Sequence, residues 1–138
     1  MILVDTGALY ALADRNDTHH RAARLFFHRV RSNEVLAVPL PVVVEAMLFM
    51  EARLGARAPR ALWDDLVDGV FHVLAISDET LAAAREIDRR YESAKLGFVD
   101  CTSLALCEQH RITTVFTYDR RDFSLYRPTF VDALELVP

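Results

Sequence analysis

Four carboxylates stand in apolar surroundings, where acidic side chains need a partner. Asp5 directly follows an apolar run at the N-terminus, and Asp119 follows a second apolar run late in the chain. Asp100 stands beside Phe98 and Val99, and Glu45 lies within residues 42–50, which are otherwise entirely apolar. An ionised carboxylate is costly to bury without a partner. These four residues are therefore the first candidates for a chemical role.

Each acid also has a simpler structural explanation. Asp5 and Asp119 could cap a turn or a helix that follows a strand, and Asp100 could be an N-cap or a first-turn acid of a helix. Glu45 could form an internal ion pair with one of the arginines. These explanations are weaker when the four acids are taken together.

Asp5, Asp119 and Asp100 are expected at two strand ends and one helix start, which can meet at one edge of a parallel sheet. Glu45, from an inward-facing helix, would complete the cluster. Clustered carboxylates repel one another, and a hard divalent cation such as Mg²⁺ or Mn²⁺ relieves that repulsion. No Cys/His spacing indicates zinc, and we expect His19 and His20 on an exposed helix start. The pattern predicts a site for one or two Mg²⁺ or Mn²⁺ ions.

Strands and helices alternate along the chain. The predicted strands are residues 2–4, 35–38, 71–76, 113–117 and a short strand within 130–137. The predicted helices run from Asp17 or Thr18 to residue 30, then over 42–54, 59–67, 78–91 and 98–110. Pro41, Gly55 and Ser77 stand at positions typical of helix boundaries.

The strands are continuous apolar runs, which is typical of a parallel sheet covered on both faces. We therefore predict a three-layer α/β/α fold with a central, mostly parallel sheet of about five strands. Few glycines, no linker and no repeat predict one domain over residues 1–138. Ligands of such sheets bind beyond the carboxyl ends of the strands, where the four acids are expected.

The composition sets limits on function. The 20 acidic and 16 basic residues give a net charge of −4, which argues against binding nucleic acid through bulk positive charge. Setting the four candidate acids aside leaves 16 acidic residues against 16 basic ones, so site-directed binding remains open. All the basic residues except Lys95 are arginines, which either reflects codon usage or favours phosphate recognition.

Cys101 and Cys107 are expected about 9 Å apart on one helix, too far for a disulfide bond. Reduced cysteines, with no signal peptide and no membrane-spanning stretch, predict a cytoplasmic protein.

The order of these residues resembles that of the PIN-domain ribonucleases, and most closely that of the VapC-type toxins of toxin–antitoxin pairs. The resemblance covers essentially the whole chain. It rests on Asp5-Thr6 after the first strand, Glu45 in an apolar helix, Phe98-Val99-Asp100, and Thr117-Tyr118-Asp119 with Phe123 shortly after. One departure is Gly7, where relatives often carry Ser or Asn.

The resemblance implies that Asp5, Glu45, Asp100 and Asp119 are catalytic and bind the metal. Thr6 and Thr117 match polar positions that support the cluster, and Asp122 is a further acid that we rank below Asp119. The implied activity is metal-dependent hydrolysis of RNA phosphodiester bonds, leaving 5′-phosphate and 3′-hydroxyl ends.

Arg15, Arg120 and Arg121 lie near these acids in sequence and are our candidates for contacts to RNA phosphates, with solvated surface or ion pairing as the alternative. The resemblance also implies a homodimer and a VapB-like antitoxin, whose C-terminal arm places an arginine among the carboxylates. The helices around residues 25–27 and 48–54 carry more apolar residues than one buried face needs. These residues either form a groove for the antitoxin or belong to the ordinary core.

Three other functions share part of this pattern. A signalling receiver domain needs an acidic pair after the first strand and a lysine after a late strand, but the chain has Asp5-Thr6 and its only lysine, Lys95, follows a helix. A haloacid-dehalogenase-like phosphatase needs an aspartate at position 7, which is Gly7. A catalytically inactive PIN-like binding scaffold remains the alternative, although degenerate scaffolds are expected to have lost acids.

Overall fold

The computed structural model describes all 138 residues and contains one five-stranded sheet. The strands are β1 (Ile2–Val4), β2 (Leu36–Pro39), β3 (His72–Leu74), β4 (Thr114–Phe116) and β5 (Glu135–Val137). Their order across the sheet is β3-β2-β1-β4-β5, and every neighbouring pair is parallel. The first strand is therefore the central one, and Leu3 pairs with Ala37 on one side and Val115 on the other.

Seven α-helices connect and cover these strands. They are α1 (Thr6–Ala13), α2 (His20–Val30), α3 (Leu40–Leu54), α4 (Arg57–Val67), α5 (Asp78–Arg90), α6 (Gly97–His110) and α7 (Arg120–Leu125), with a short 3₁₀ helix at Glu92–Ala94. None of them combines the length and hydropathy that a helix needs to cross a bilayer.

The sheet has a hydrophobic core on each face, because successive strand residues point to opposite sides. Val4 and Phe116 belong to the core that α1–α4 cover. Leu3 and Val115 belong to the other core, which includes residues of α5, α6 and α7. The predicted three-layer α/β/α class and parallel sheet are confirmed.

The helix boundaries follow from local chemistry. The Ser77 hydroxyl accepts a 3.1 Å hydrogen bond from the Thr80 backbone N–H and begins α5 with a capping box. Pro41 stands in the first turn of α3, and Gly55, with φ of 80°, follows its last residue. Cys101 and Cys107 are buried free thiols, as expected.

Several elements differ from the sequence-based prediction. Helix α1 was not predicted, because its eight residues, Thr6–Ala13, are apolar on most sides and show no clear period. The six residues of α7 were too few to show a period. The last strand covers only Glu135–Val137 of the predicted region, the third strand only His72–Leu74, and α2 begins at His20 rather than at Asp17 or Thr18.

Candidate active site

The four candidate acids converge on one cleft at the carboxyl edge of the sheet. Asp5 directly follows β1, and Asp119 lies three residues beyond β4, the parallel neighbour of β1. The backbone N–H of Asp5 donates to the Phe116 carbonyl at 3.0 Å and extends the β1–β4 pairing to the site. Glu45 reaches the cleft from α3 and Asp100 from the first turn of α6. The acids therefore come from the sheet and from both helical layers.

Thr117 links the two strand-end aspartates. Its hydroxyl donates to Oδ2 of Asp5 at 2.9 Å and accepts from the backbone N–H of Asp119 at 2.9 Å. The Thr117 side chain is fully buried, so its bond to Asp5 is shielded from water, whereas its bond to the exposed Asp119 is only partly buried. Thr6 makes a similar contact with Glu45, because the Thr6 hydroxyl donates to Oε2 of Glu45 at 2.6 Å. The structure thus places both threonines where they orient carboxylates.

Asp122 belongs to the acidic cluster more closely than its sequence position suggested. One carboxylate oxygen from each of Asp100, Asp119 and Asp122 lies within 4.8 Å of the others. Asp122 is buried and pairs with Arg121, whose Nη1 lies 3.2 Å from Oδ1 of Asp122. The backbone N–H of Asp122 also donates to Oδ1 of Asp119 at 3.4 Å, so Asp119 caps α7 while it lines the cleft.

Burial, together with repulsion between the acids, raises pKa values in the cleft. Burial, and then the charges of Asp5, Asp122, Asp119 and Glu45, raise the pKa of Asp100 to about 7. Burial also raises the pKa of Asp5, although the hydrogen bond from the Thr117 hydroxyl partly offsets it. No lysine or arginine forms an ion pair with any of the four candidate acids. The internal ion pair considered for Glu45 is therefore absent.

The cleft has a volume of about 510 Å³, within the range of small-ligand sites. Its walls carry aromatic rings as well as acids, and these rings belong to Tyr10, His19, Phe49, Phe98 and Tyr118. The His19 ring stacks on the Tyr118 ring with centroids 4.0 Å apart and planes 13° apart. His19 is exposed at the start of α2, as expected, but its ring also forms part of this wall.

The predicted phosphate-binding arginines are not among the residues that line the cleft. Nη2 of Arg120 donates to the Pro138 carbonyl at 2.6 Å, Arg121 pairs with Asp122, and Arg15 is exposed outside the cleft. Arg120 and Arg121 lie on α7, where each has a partner within the protein, so their contact with RNA phosphates stays a prediction. Arg53 is the only arginine or lysine in the lining, and the sequence analysis did not select it. Its spacing of eight residues from Glu45 on α3 is the signal that could have found it.

A Thr117→Val variant tests the link between the two aspartates. Valine keeps the shape but removes the hydroxyl, so Asp5 and the Asp119 backbone lose a buried partner. We expect unfolding free energy to fall by about 1–3 kcal/mol, measured by urea denaturation at neutral pH. The control is Thr114→Val, which removes a 3.2 Å bond to Glu135 at the surface and is expected to change stability by less than about 0.5 kcal/mol. Equal effects of both substitutions would contradict the assigned role of Thr117.

The fold and the cleft define a three-layer α/β/α protein with an acidic site at the carboxyl edge of its sheet. A family comparison then identifies it: the PIN domain model matches residues 2–127, so the chain belongs to the PIN domain family. Among curated proteins it is similar to ribonuclease VapC26 of Mycobacterium tuberculosis, with 27% identity over 137 residues, covering 99% of this chain and 100% of VapC26.

Solved structures share the fold. VapC20 of Mycobacterium tuberculosis, described as a sarcin-ricin loop cleaving toxin, superposes with a TM-score of 0.82 and 24% identity, covering 96% of this chain and 98% of its own. VapBC2 of Rickettsia felis, solved bound to a DNA fragment from its promoter, gives a TM-score of 0.72 at 14% identity, covering 99% of this chain and 97% of its own.

Proposed function

We propose that this protein is a metal-dependent endoribonuclease, a VapC-type toxin that hydrolyses RNA phosphodiester bonds with Mg²⁺ or Mn²⁺. The observation that carries the proposal is the convergence of Asp5, Glu45, Asp100 and Asp119 on one cleft without a cationic partner. Membership of the PIN domain family and the similarity to a ribonuclease support it.

The donor set fits a hard divalent cation. Every candidate ligand is a carboxylate oxygen, the kind of donor that Mg²⁺ and Mn²⁺ prefer. The raised pKa values of Asp5 and Asp100 show that the protein alone leaves the carboxylate charges poorly stabilised. One or two bound ions would supply the missing positive charge, so metal binding and ionisation of these acids would support each other.

The position of each residue in the cleft indicates its role. We assign direct metal ligation first to Asp5 and Asp100, while Glu45 and Asp119 either ligate or hold the attacking water and a second ion. Thr117 and Thr6 fix the rotamers of Asp5 and Glu45 through their hydroxyl bonds. When bound, the ions lower the pKa of a water and neutralise charge on the leaving oxygen. No serine or cysteine nucleophile is required, and the thiols of Cys101 and Cys107 are buried.

We further propose a VapB-like antitoxin and a second copy of this chain as protein partners. Relatives of the fold include a toxin–antitoxin complex from Klebsiella pneumoniae, with a TM-score of 0.65 and 21% identity over 90% of this chain. Large apolar side chains are exposed on α2, α3 and α4, among them Leu25, Leu48 and Trp63, each more than 60% exposed. The core leaves these apolar side chains uncovered, and exposed apolar surface of this kind is typical of protein-binding sites.

The test is a cleavage assay on a defined RNA with Mg²⁺, with Mn²⁺, and with EDTA. We expect cleavage with either ion, none in EDTA, and products with 5′-phosphate and 3′-hydroxyl ends. Calorimetric titration with Mn²⁺ is the parallel measurement. Metal binding without cleavage of any RNA would support the inactive scaffold instead, and cleavage undiminished in EDTA would overturn the metal-dependent mechanism.

A further inference from the structure

Arg53 is the one strong cation in a cleft otherwise lined by acids and rings. It forms no ion pair, and its side chain is exposed to solvent in the cleft. Its hydrogen-bond donors are therefore available to a ligand.

The position of Arg53 follows from the geometry of α3. Glu45, Phe49 and Arg53 are spaced four residues apart, so they form one ridge along the cleft wall. Helical side chains lean toward the N-terminus of their helix, which directs Arg53 back along the ridge toward Glu45. Its guanidinium carbon lies 5.2 Å from the centre of the Phe49 ring, in agreement with that direction.

A second ring, on the neighbouring helix α1, also contacts the guanidinium. Tyr10 of α1 lies with its ring centre 5.6 Å from the guanidinium carbon of Arg53, and its hydroxyl donates to Oδ2 of Asp14 at 3.0 Å. Contacts between a guanidinium and ring faces restrict the side chain without using its N–H groups. The guanidinium also faces the Tyr10 hydroxyl, whose raised pKa it partly offsets, so the fork is oriented in advance and its remaining N–H donors are free to bind.

We propose that Arg53, held by Tyr10 and Phe49, binds a phosphate of the RNA next to the scissile one. This inference rests on the proposed function. The scissile phosphate would lie at the acids, and the lean of Arg53 toward Glu45 would bring its guanidinium within reach of a neighbouring phosphate of the same strand. Arginine suits that role because its fork matches two phosphate oxygens, and the exposed Phe49 ring beside it offers a face for an unstacked base.

The test compares Arg53→Ala, Arg53→Lys and the control Arg60→Ala, which removes an exposed arginine of α4 outside the cleft. Cleavage of a short unpaired RNA gives kcat and KM. We expect Arg53→Ala to lower kcat/KM about 10- to 100-fold, mostly through KM. Arg53→Lys recovers part of that loss, and Arg60→Ala cleaves like the wild type.

Salt dependence separates a phosphate contact from a structural one. RNA affinity is measured by fluorescence anisotropy over a salt series in EDTA, with every variant in an Asp100→Asn background, which is expected not to cleave. Loss of one phosphate contact lowers the slope of log affinity against log salt by about 0.7 for a single strand. We expect that change for Arg53→Ala alone. A wild-type slope and wild-type kcat/KM in Arg53→Ala would overturn the inference, and so would a loss of thermal stability without either change.

The same measurements keep the two proposals apart. If the wild type binds RNA but cleaves none, the proposed function fails and the salt slopes still decide the role of Arg53. If the wild type cleaves RNA and Arg53→Ala cleaves it equally well, the proposed function stands and the inference fails.

Discussion

Replacing Asp5 with asparagine is expected to lower RNA cleavage by about 10²–10³-fold or more while the protein folds normally. Asparagine keeps the size of the side chain and one oxygen that can accept from Thr117, so the β1–β4 junction is preserved. The variant lacks the negative charge that would hold a metal ion at the centre of the sheet edge. Single-turnover cleavage with Mg²⁺ in excess is the measurement, with circular dichroism as the check on folding.

The matched control is Asp132→Asn, an exposed acid near the C-terminus and outside the cleft. It is expected to cleave at the wild-type rate, which separates the loss of a particular carboxylate from a general change in net charge. An Asp5→Asn protein that is folded and cleaves as fast as the control would refute the assignment of Asp5.

Replacing Asp100 with asparagine is expected to stabilise the metal-free protein at neutral and higher pH. An unfolded aspartate ionises near pH 4, whereas the pKa of Asp100 in the folded protein is about 7. The folded state therefore holds an extra proton between these values, and wild-type stability falls as pH rises from about 4 to about 7. Asparagine carries no charge, so the free energy of unfolding of the variant does not fall in this way as the pH rises. A pKa difference of about three corresponds to about 4 kcal/mol. Because Asp100 is only partly buried, we expect a smaller gain of about 2–3 kcal/mol above pH 7 and close to zero near pH 4.

The measurement is urea unfolding of both proteins across that pH range, in EDTA and in Mg²⁺. Mg²⁺ is expected to raise the stability of the wild type and to have little effect on Asp100→Asn, because the ion binds only the folded state and needs the carboxylate. The variant should also lose cleavage. A stability difference between the two proteins that stays constant from pH 4 to pH 8 would contradict the raised pKa of Asp100.

The convergence of the acids could be foreseen because it follows from topology. Asp5 and Asp119 follow neighbouring strands whose ends a parallel sheet must align, and Asp100 lies in the first turn of a helix at the same edge. Apolar neighbours identified Glu45 as an inward-facing acid, and the structure places it in the cleft beside Asp5 and Asp100. Predicting this convergence required only the direction of the strands and the burial of residues, and apolar runs in a sequence indicate both.

What the sequence could not supply was the orientation of side chains at the rim. Arg120 and Arg121 stand next to Asp119 in the chain, yet α7 directs them to Pro138 and Asp122. Arg53 is eight residues from Glu45 in sequence, and α3 brings both to the cleft, where the Arg53 guanidinium lies against the Tyr10 ring. The unpredicted α1 carries Tyr10, so missing that helix also meant missing this wall of the cleft.

The site joins the two halves of the molecule. Glu45 belongs to the layer that covers one hydrophobic core, Asp100 to the layer that covers the other, and Asp5 and Asp119 to the sheet edge between them. An ion held by all four would cross-link both layers through the sheet, as a disulfide bond joins two segments of a secreted domain. Amide exchange in α3 and in α6 would then slow together when metal is added, although the two helices rest on separate cores.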